Sequence, residues 1–308
     1  MGTKLHYCQT AFFLVLQLQA LPCYSFTSFV FGDSLVDAGN NNYLFTLSRA
    51  NSPPYGIDFK PSGGQPTGRF TNGLTISDIA GRIPLKEQVN NFKQTRNYMV
   101  NVMGEAGTSK FLKKAIFSIT IGSNDILNYA LPSIPFLRSN KVSPSMYQDF
   151  MVSNLTIQLK LGARKFIVVG VGPLGCIPFV RALKLLPSGK CSVEINELVQ
   201  GYNKKLTDML GGLNQEMGPE SVFVYANSYD NVEEPCCGGY FPPFVCFNGF
   251  NENVTSIMCD DPSKYLFWDA YHPTEAANMV IAKELVEGDG GRKIIFPMSI
   301  RELYNYTA

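Results

Sequence analysis

Four short apolar runs, Phe29 to Phe31, Ala115 to Ile121, Lys165 to Val171 and Val222 to Tyr225, alternate with stretches long enough to hold helices, and this alternation constrains the fold more than any other feature. Runs this short and this continuously apolar read as strands buried on both faces, the pattern of a parallel sheet. Between them, Leu85, Val89, Phe92, Met99 and Met103 recur at helical spacing, as do Ile195, Val199, Tyr202, Leu206 and Leu213. Such stripes predict helices whose apolar sides face the sheet. Parallel strands joined by right-handed crossovers place helices on both faces, so the expected architecture is α/β, a three-layer α/β/α sandwich. In such sheets ligands bind beyond the carboxyl ends of the strands. Two runs end there in polar residues, Gly32-Asp33-Ser34 and Gly122-Ser123-Asn124-Asp125.

The chain opens with Met1-Gly-Thr-Lys4 and the apolar stretch Ala11 to Leu21, which has the proportions of a removable signal peptide and is short for a membrane span. Residues 1–25 are assigned to that leader and 26–308 to a single domain, since no repeat or low-complexity linker divides the rest. No stable membrane insertion is expected once the leader is removed. A net charge of +1, from 26 basic and 25 acidic residues, gives no reason to expect nucleic acid or an anionic membrane as partner. Of the 8 cysteines, Cys176, Cys191, Cys236, Cys237, Cys246 and Cys259 are the ones expected to pair in a secreted protein, Cys176 with Cys191 and the others in two further bonds of open connectivity. A zinc cluster is disfavoured by the oxidising compartment and by the single histidine left after the leader, so no metal is expected. The sequons at Asn154, Asn253 and Asn305 agree with secretion.

That single histidine is His272, in Trp268-Asp269-Ala270-Tyr271-His272-Pro273. A carboxylate three residues before an imidazole can orient it as a general base, if the fold brings a nucleophile to the other ring nitrogen. Ser34, just past the first apolar run, is the candidate. Each motif also has a structural reading: Asp33-Ser34 as a helix cap, Asn124 as a turn residue, and Asp269 to His272 as an exposed loop. The final helix is expected to start just past His272, with Pro273 in its first turn, Ala277, Ile281 and Leu285 on one face, and Gly288 near its stop. The segment from Asn40 to Gly73, rich in Pro, Gly, Asn and Thr, reads as loops packed over the rim. No Gly-rich phosphate loop follows the first run, which argues against a flavodoxin-like cofactor-binding module. No cofactor is implied.

The block Gly32-Asp33-Ser34-Leu35-Val36-Asp37-Ala38-Gly39-Asn40-Asn41 resembles the first signature of the plant GDSL esterase/lipase family, within the SGNH hydrolases. Thr67 to Gly73, Ile121 to Asp125, Gly172 to Cys176 and Asp269 to Thr274 are similar to later signatures, so the resemblance covers nearly all of the chain after the leader. It implies a flavodoxin-like parallel sheet and a serine ester hydrolase acting on a small ester or lipid substrate. It further implies Ser34 as nucleophile, His272 as general base and acid, and Asp269 as orienting carboxylate. The implied oxyanion hole comprises the Ser34 N–H, the Asn124 amide and a glycine N–H from a second block, with Asp33 and Gly122 as supporting residues. Here the chain departs from its relatives. After Thr75 to Gly81 it passes directly into Arg82-Ile83-Pro84-Leu85, where the family carries a few dozen more residues, including a strand and that glycine. Gly81 lacks the small-residue run that would make it a substitute. A smaller shortening is expected before Gly162. The missing strand would sit beside the first one, so its loss is expected to leave an apolar sheet edge uncovered. A catalytically silent protein that keeps the fold for binding is the competing reading. Nothing in the sequence sets an oligomeric state.

Overall fold

The structure, a computed structural model, describes residues 27–43, 49–75, 85–131, 142–160, 164–187, 190–226, 236–237, 258–287 and 294–307. The expectations for the leader, the junction after Gly81, Gly162, Gly288, Cys246 and the Asn253 sequon lie outside the described residues.

The four apolar runs are strands: β1 (Ser28–Gly32), β2 (Ile116–Thr120), β3 (Lys165–Val169) and β4 (Val222–Ala226). They pair in parallel in the order β1-β2-β3-β4, with Gly32 opposite Thr120 and Thr120 opposite Val169. A fifth strand, β5 (Ile295–Phe296), pairs antiparallel with Tyr225 and Ala226 and was not anticipated, because two residues carry no periodicity. Among the described residues β1 forms one edge, with β2 its strand neighbour.

Side chains alternate across the sheet. On one face Phe117, Phe166 and Phe223 stand in a row, with neighbouring ring centroids 5.7 and 4.8 Å apart. Phe29 of β1 extends that row, 5.2 Å from Phe117. Helices α1 (Leu85–Lys114), α3 (Pro144–Leu159) and α5 (Val193–Met217) cover this face through Phe92, Leu155, Leu159, Ile195, Val199 and Leu206. The opposite face sets Ile116, Ile167, Val222 and Val224 against Leu285 of α6 (Glu275–Glu287) and Leu303 of α7 (Ile300–Asn305). Each fully buried Leu, Ile or Phe contributes about 1.5–3 kcal/mol, which fixes the three layers. Two short helices complete the set among the described residues, α2 (Ser123–Ala130) after β2 and α4 (Pro178–Leu183) after β3.

Three expectations need correction. Only the start of the first stripe meets the core: Leu85, Val89 and Phe92 pack on the sheet, whereas Met103 is exposed, next to a break at Gly104 where φ is 72°. Pro273 is not in the first turn of α6; it bridges Phe267 as a short antiparallel pair, and the helix starts at Glu275. The local cap is Thr274, whose Oγ1 accepts from the Ala277 N–H and donates to the Tyr265 carbonyl. Nor is that helix the last, since α7 follows with a capping box formed by Ser299 and Glu302.

Candidate active site

Ser34 leaves the carboxyl end of β1 on a single 3₁₀ turn, Ser34–Val36, capped by the Asp33 carboxylate, which accepts from the Leu35 N–H at 3.1 Å. The turn is pinned to the sheet by Asp33 N–H donating to the Thr120 carbonyl. At Gly32 even a methyl group would meet the Thr120 carbonyl oxygen at 2.4 Å, so β1 and β2 approach closely just before the serine. Asp37 organises the next stretch of chain: its buried carboxylate accepts from the N–H groups of Gly39, Asn40 and Asn41. Burial raises its pKa above the ordinary carboxylate value against the pull of those three donors.

His272 arrives 238 residues later, on the loop that the Phe267–Pro273 bridge closes just before α6. Asp269 is fully buried. Its Oδ1 accepts from the backbone N–H groups of Tyr271 and His272, both at 2.8 Å, and His272 Nδ1 lies 2.8 and 2.9 Å from its two oxygens. Nδ1 thus faces only acceptors and must carry the ring hydrogen in the neutral imidazole, which leaves Nε2 as an acceptor. Ser34 Oγ stands 2.8 Å from Nε2 and donates to it. Ser34, His272 and Asp269 therefore form one continuous hydrogen-bonded chain.

Residues from the loop segment before α1 complete this arrangement. The Tyr55 hydroxyl donates to Asp269 Oδ2 at 2.7 Å from 214 residues away in sequence, and the Phe70 ring lies 4.9 Å from the imidazole. Thr71 donates to the Pro273 carbonyl, Asn72 Oδ1 accepts from the Glu275 N–H, and Glu275 accepts in return from the Leu74 N–H. The Thr67 to Gly73 signature is thus a tether that fixes the start of α6, and with it the loop bearing His272. Tyr55, Phe70 and Trp268 also share a small core with Cys236 and Cys237. The N–H groups of those two cysteines donate to the carbonyls of Phe267 and Trp268, and the Cys236–Cys259 disulfide anchors the strip. Cys176–Cys191 is formed as expected, and Cys237 is disulfide-bonded as well. Tyr55 and Phe70 were missed as individual site residues; only their placement in a Pro- and Gly-rich segment near the rim was legible.

The remaining candidates divide. Asn124 sits in the first turn of α2 at the carboxyl end of β2, exposed, its side chain free of hydrogen bonds among the described residues. The Ser34 N–H is likewise without a hydrogen-bond partner there. Gly122 precedes Ser123 with φ 121°, a conformation that side chains rarely adopt, and lets β2 turn into α2. Asp33 is buried, its Oδ2 has no partner among the described residues, and its pKa is pushed up to about 6, chiefly by burial, while His272 pulls it down and Asp125 pushes it up. No cluster of metal-ligating side chains occurs among the described residues. Asn154 and Asn305 are both exposed, on α3 and at the end of α7.

Residues 29–285 match the family described as GDSL-like Lipase/Acylhydrolase. An Arabidopsis thaliana protein named GDSL esterase/lipase is 52% identical over an alignment that covers 91% of this chain and 93% of the relative. Two others of that name from the same plant are 39% and 38% identical, each over 90% of the chain. The first alignment runs over 346 positions, more than the 308 residues of the chain, so that relative carries residues with no counterpart here. The signatures, the sheet and these relatives together establish that the chain belongs to the GDSL-like lipase/acylhydrolase family of carboxylic ester hydrolases.

Proposed function

We propose that the protein is a secreted serine esterase that cleaves carboxylic esters of lipids or acylated small molecules through an acyl-serine intermediate on Ser34. The observation that carries this reading is the 2.8 Å contact between Ser34 Oγ and His272 Nε2, continued from Nδ1 to Asp269. As Oγ attacks the ester carbonyl carbon, its proton passes to Nε2, and Asp269 holds the ring and stabilises the imidazolium. The tetrahedral intermediate collapses by breaking the bond to the alcohol oxygen, which takes the proton from Nε2. Water then gives a proton to Nε2 while its oxygen attacks the acyl carbon, and collapse returns that proton to Ser34 and releases the acid.

The negative charge of each intermediate falls on the former carbonyl oxygen. The Ser34 N–H and the Asn124 amide are the donors assigned to it. Complete relatives would add a glycine N–H from the block this chain lacks. One missing donor typically costs about 100- to 1,000-fold in rate, which lowers turnover without abolishing it. That same absence favours a second reading, a catalytically silent protein that keeps the fold for binding. Secretion is supported by the disulfides and by the exposed sequons at Asn154 and Asn305. On this reading residues 1–25 are the cleaved leader and 26–308 one domain. No helix among the described residues is long and apolar enough to cross a membrane.

Reaction of the purified protein with a fluorophosphonate probe tests the assignment. Labelling is expected on Ser34 and is expected to vanish in both Ser34→Ala and His272→Ala. Folded protein that resists the probe would overturn the esterase reading in favour of the silent one.

A further inference from the structure

We propose that Gln88 is a positioning residue for the nucleophile, its carboxamide filling the rung of the β1 edge at Gly32 that a neighbouring strand would otherwise fill.

In a parallel ladder alternate residues turn both backbone groups to the same side. The Thr27 carbonyl accepts from the Ile116 N–H and the Asp33 N–H donates to Thr120, so the odd-numbered residues from Thr27 to Asp33 face β2. Ser28, Val30 and Gly32 face the other way, toward the edge. At that edge the Gly32 N–H donates to Gln88 Oε1 at 3.0 Å, and Gln88 Nε2 donates to the Gly32 carbonyl at 2.9 Å. Both bonds are buried. A primary amide carries the same donor and acceptor as a peptide unit, so this one side chain reproduces the pairing of an adjacent strand at one residue.

The device recurs at the other side of the sheet. Val222, Val224 and Ala226 face β3, as the Val222 N–H to Arg164 carbonyl and Gly170 N–H to Ala226 carbonyl bonds require, so Phe223 faces the β5 side. The two residues of β5 reach only Tyr225 and Ala226. There Asn214 takes the Phe223 rung, accepting from its N–H at 2.8 Å and donating to its carbonyl at 2.9 Å. The chemistry matches; the location differs. The Asn214 clamp holds the second residue of β4, near the strand's amino end, whereas Gln88 holds the last rung of β1, two residues before Ser34. Gly32 is gripped by Gln88 on one side while Asp33 is gripped by Thr120 on the other, and the peptide between Asp33 and Ser34 carries the N–H assigned to the oxyanion. Releasing Gln88 lets that peptide and the Ser34 Oγ drift relative to His272.

The assignment rests on the esterase reading of Ser34, and the test separates the two. Gln88→Met and Asn214→Leu each remove a clamp while keeping side-chain volume. Melting temperature, ester hydrolysis, fluorophosphonate labelling and hydrogen exchange of the segment containing Gly32 to Leu35 are measured on wild type and both variants. The expected result is a lower melting temperature for both, with kcat and labelling rate falling between about tenfold and 100-fold only in Gln88→Met, KM staying within about twofold, and faster exchange at Gly32 to Leu35 only in that variant. A folded Gln88→Met with wild-type kcat, or an equal loss of kcat in Asn214→Leu, overturns the proposal. Should wild-type protein resist the probe, the esterase reading fails, and exchange alone decides: faster exchange at Gly32 to Leu35 confined to Gln88→Met supports the clamp, and equal exchange in the two variants sinks it.

Discussion

Asp33 shows how a residue next to Ser34 can work against the fold. One carboxylate oxygen caps the turn that carries Ser34, while the other is buried without a partner among the described residues. Burial raises its pKa from 3.8 to about 6, so the folded protein binds a proton that the unfolded chain has already released between those values. Its contribution to stability is fully present below about pH 4 and is lost as pH rises through about 6, a cost on the order of 3 kcal/mol near neutral pH. Asp33→Asn removes the charge and keeps the cap. Its melting temperature is expected to exceed that of the wild type above about pH 6.5, with the advantage disappearing near pH 4. Equal melting curves at pH 8 would show that the buried charge carries no such penalty. The Leu35 N–H opposes the effect of burial most strongly, His272 lowers the Asp33 pKa further, and Asp125 raises it. Tyr55 is the opposite case, a residue whose single hydroxyl completes the acceptor capacity of Asp269.

At the scale of elements, the site is two rigid insertions brought together by loops. The 3₁₀ turn after β1 is held by the sheet, but the loop from Phe267 to Pro273 is held by its neighbours: the Cys236–Cys237 strip, the Tyr55 and Phe70 side chains, and the tether from Thr71 and Asn72 to α6. Replacing both Cys236 and Cys259 by Ser removes the anchor of that strip. The closed loop has a sequence separation of 23, and its loss is expected to cost about 3 kcal/mol, lowering the melting temperature by roughly 5–10 °C. Because the strip braces the His272 loop, labelling of Ser34 is expected to slow in the same variant at temperatures where it remains folded. Unchanged labelling there would confine the disulfide to global stability.

Across the whole molecule the weak place is the β1 side of the sheet. Phe29 and Val30 are only half-buried, and Gln88 closes the rung at Gly32 rather than at Val30 or Ser28. An apolar strand edge of this kind invites association with other chains. Recombinant protein is expected to give lower recovery and a lower melting temperature than a complete relative, and to associate with rising concentration. A monodisperse preparation whose cooperative melt equals that of the relative would remove this expectation.

Much of this was legible in the chain because it depends on local pattern. Short continuous apolar runs read as strands inside a covered sheet, so β1 to β4 follow from them, and α1 and α5 follow from their apolar stripes. Of the two histidines, His6 and His272, only His272 stands in a signature block, and those blocks pointed to Ser34 and Asp269 as its partners. What sequence could not reach depends on contacts between distant segments. The two-residue β5, the Tyr55 bond across 214 positions, the tether that displaces Pro273 from α6, and the exposure of Met103 carry no periodic signal. The same is true of Gln88: on a helical stripe it is one polar residue among several, and only the sheet edge it closes gives its amide something to hold. Residue order determined which chemistry the chain carries, because that depends on residue type; tertiary structure decided which groups hold the chemistry in place, because hydrogen bonds act over about 3 Å in space, whatever the separation along the chain.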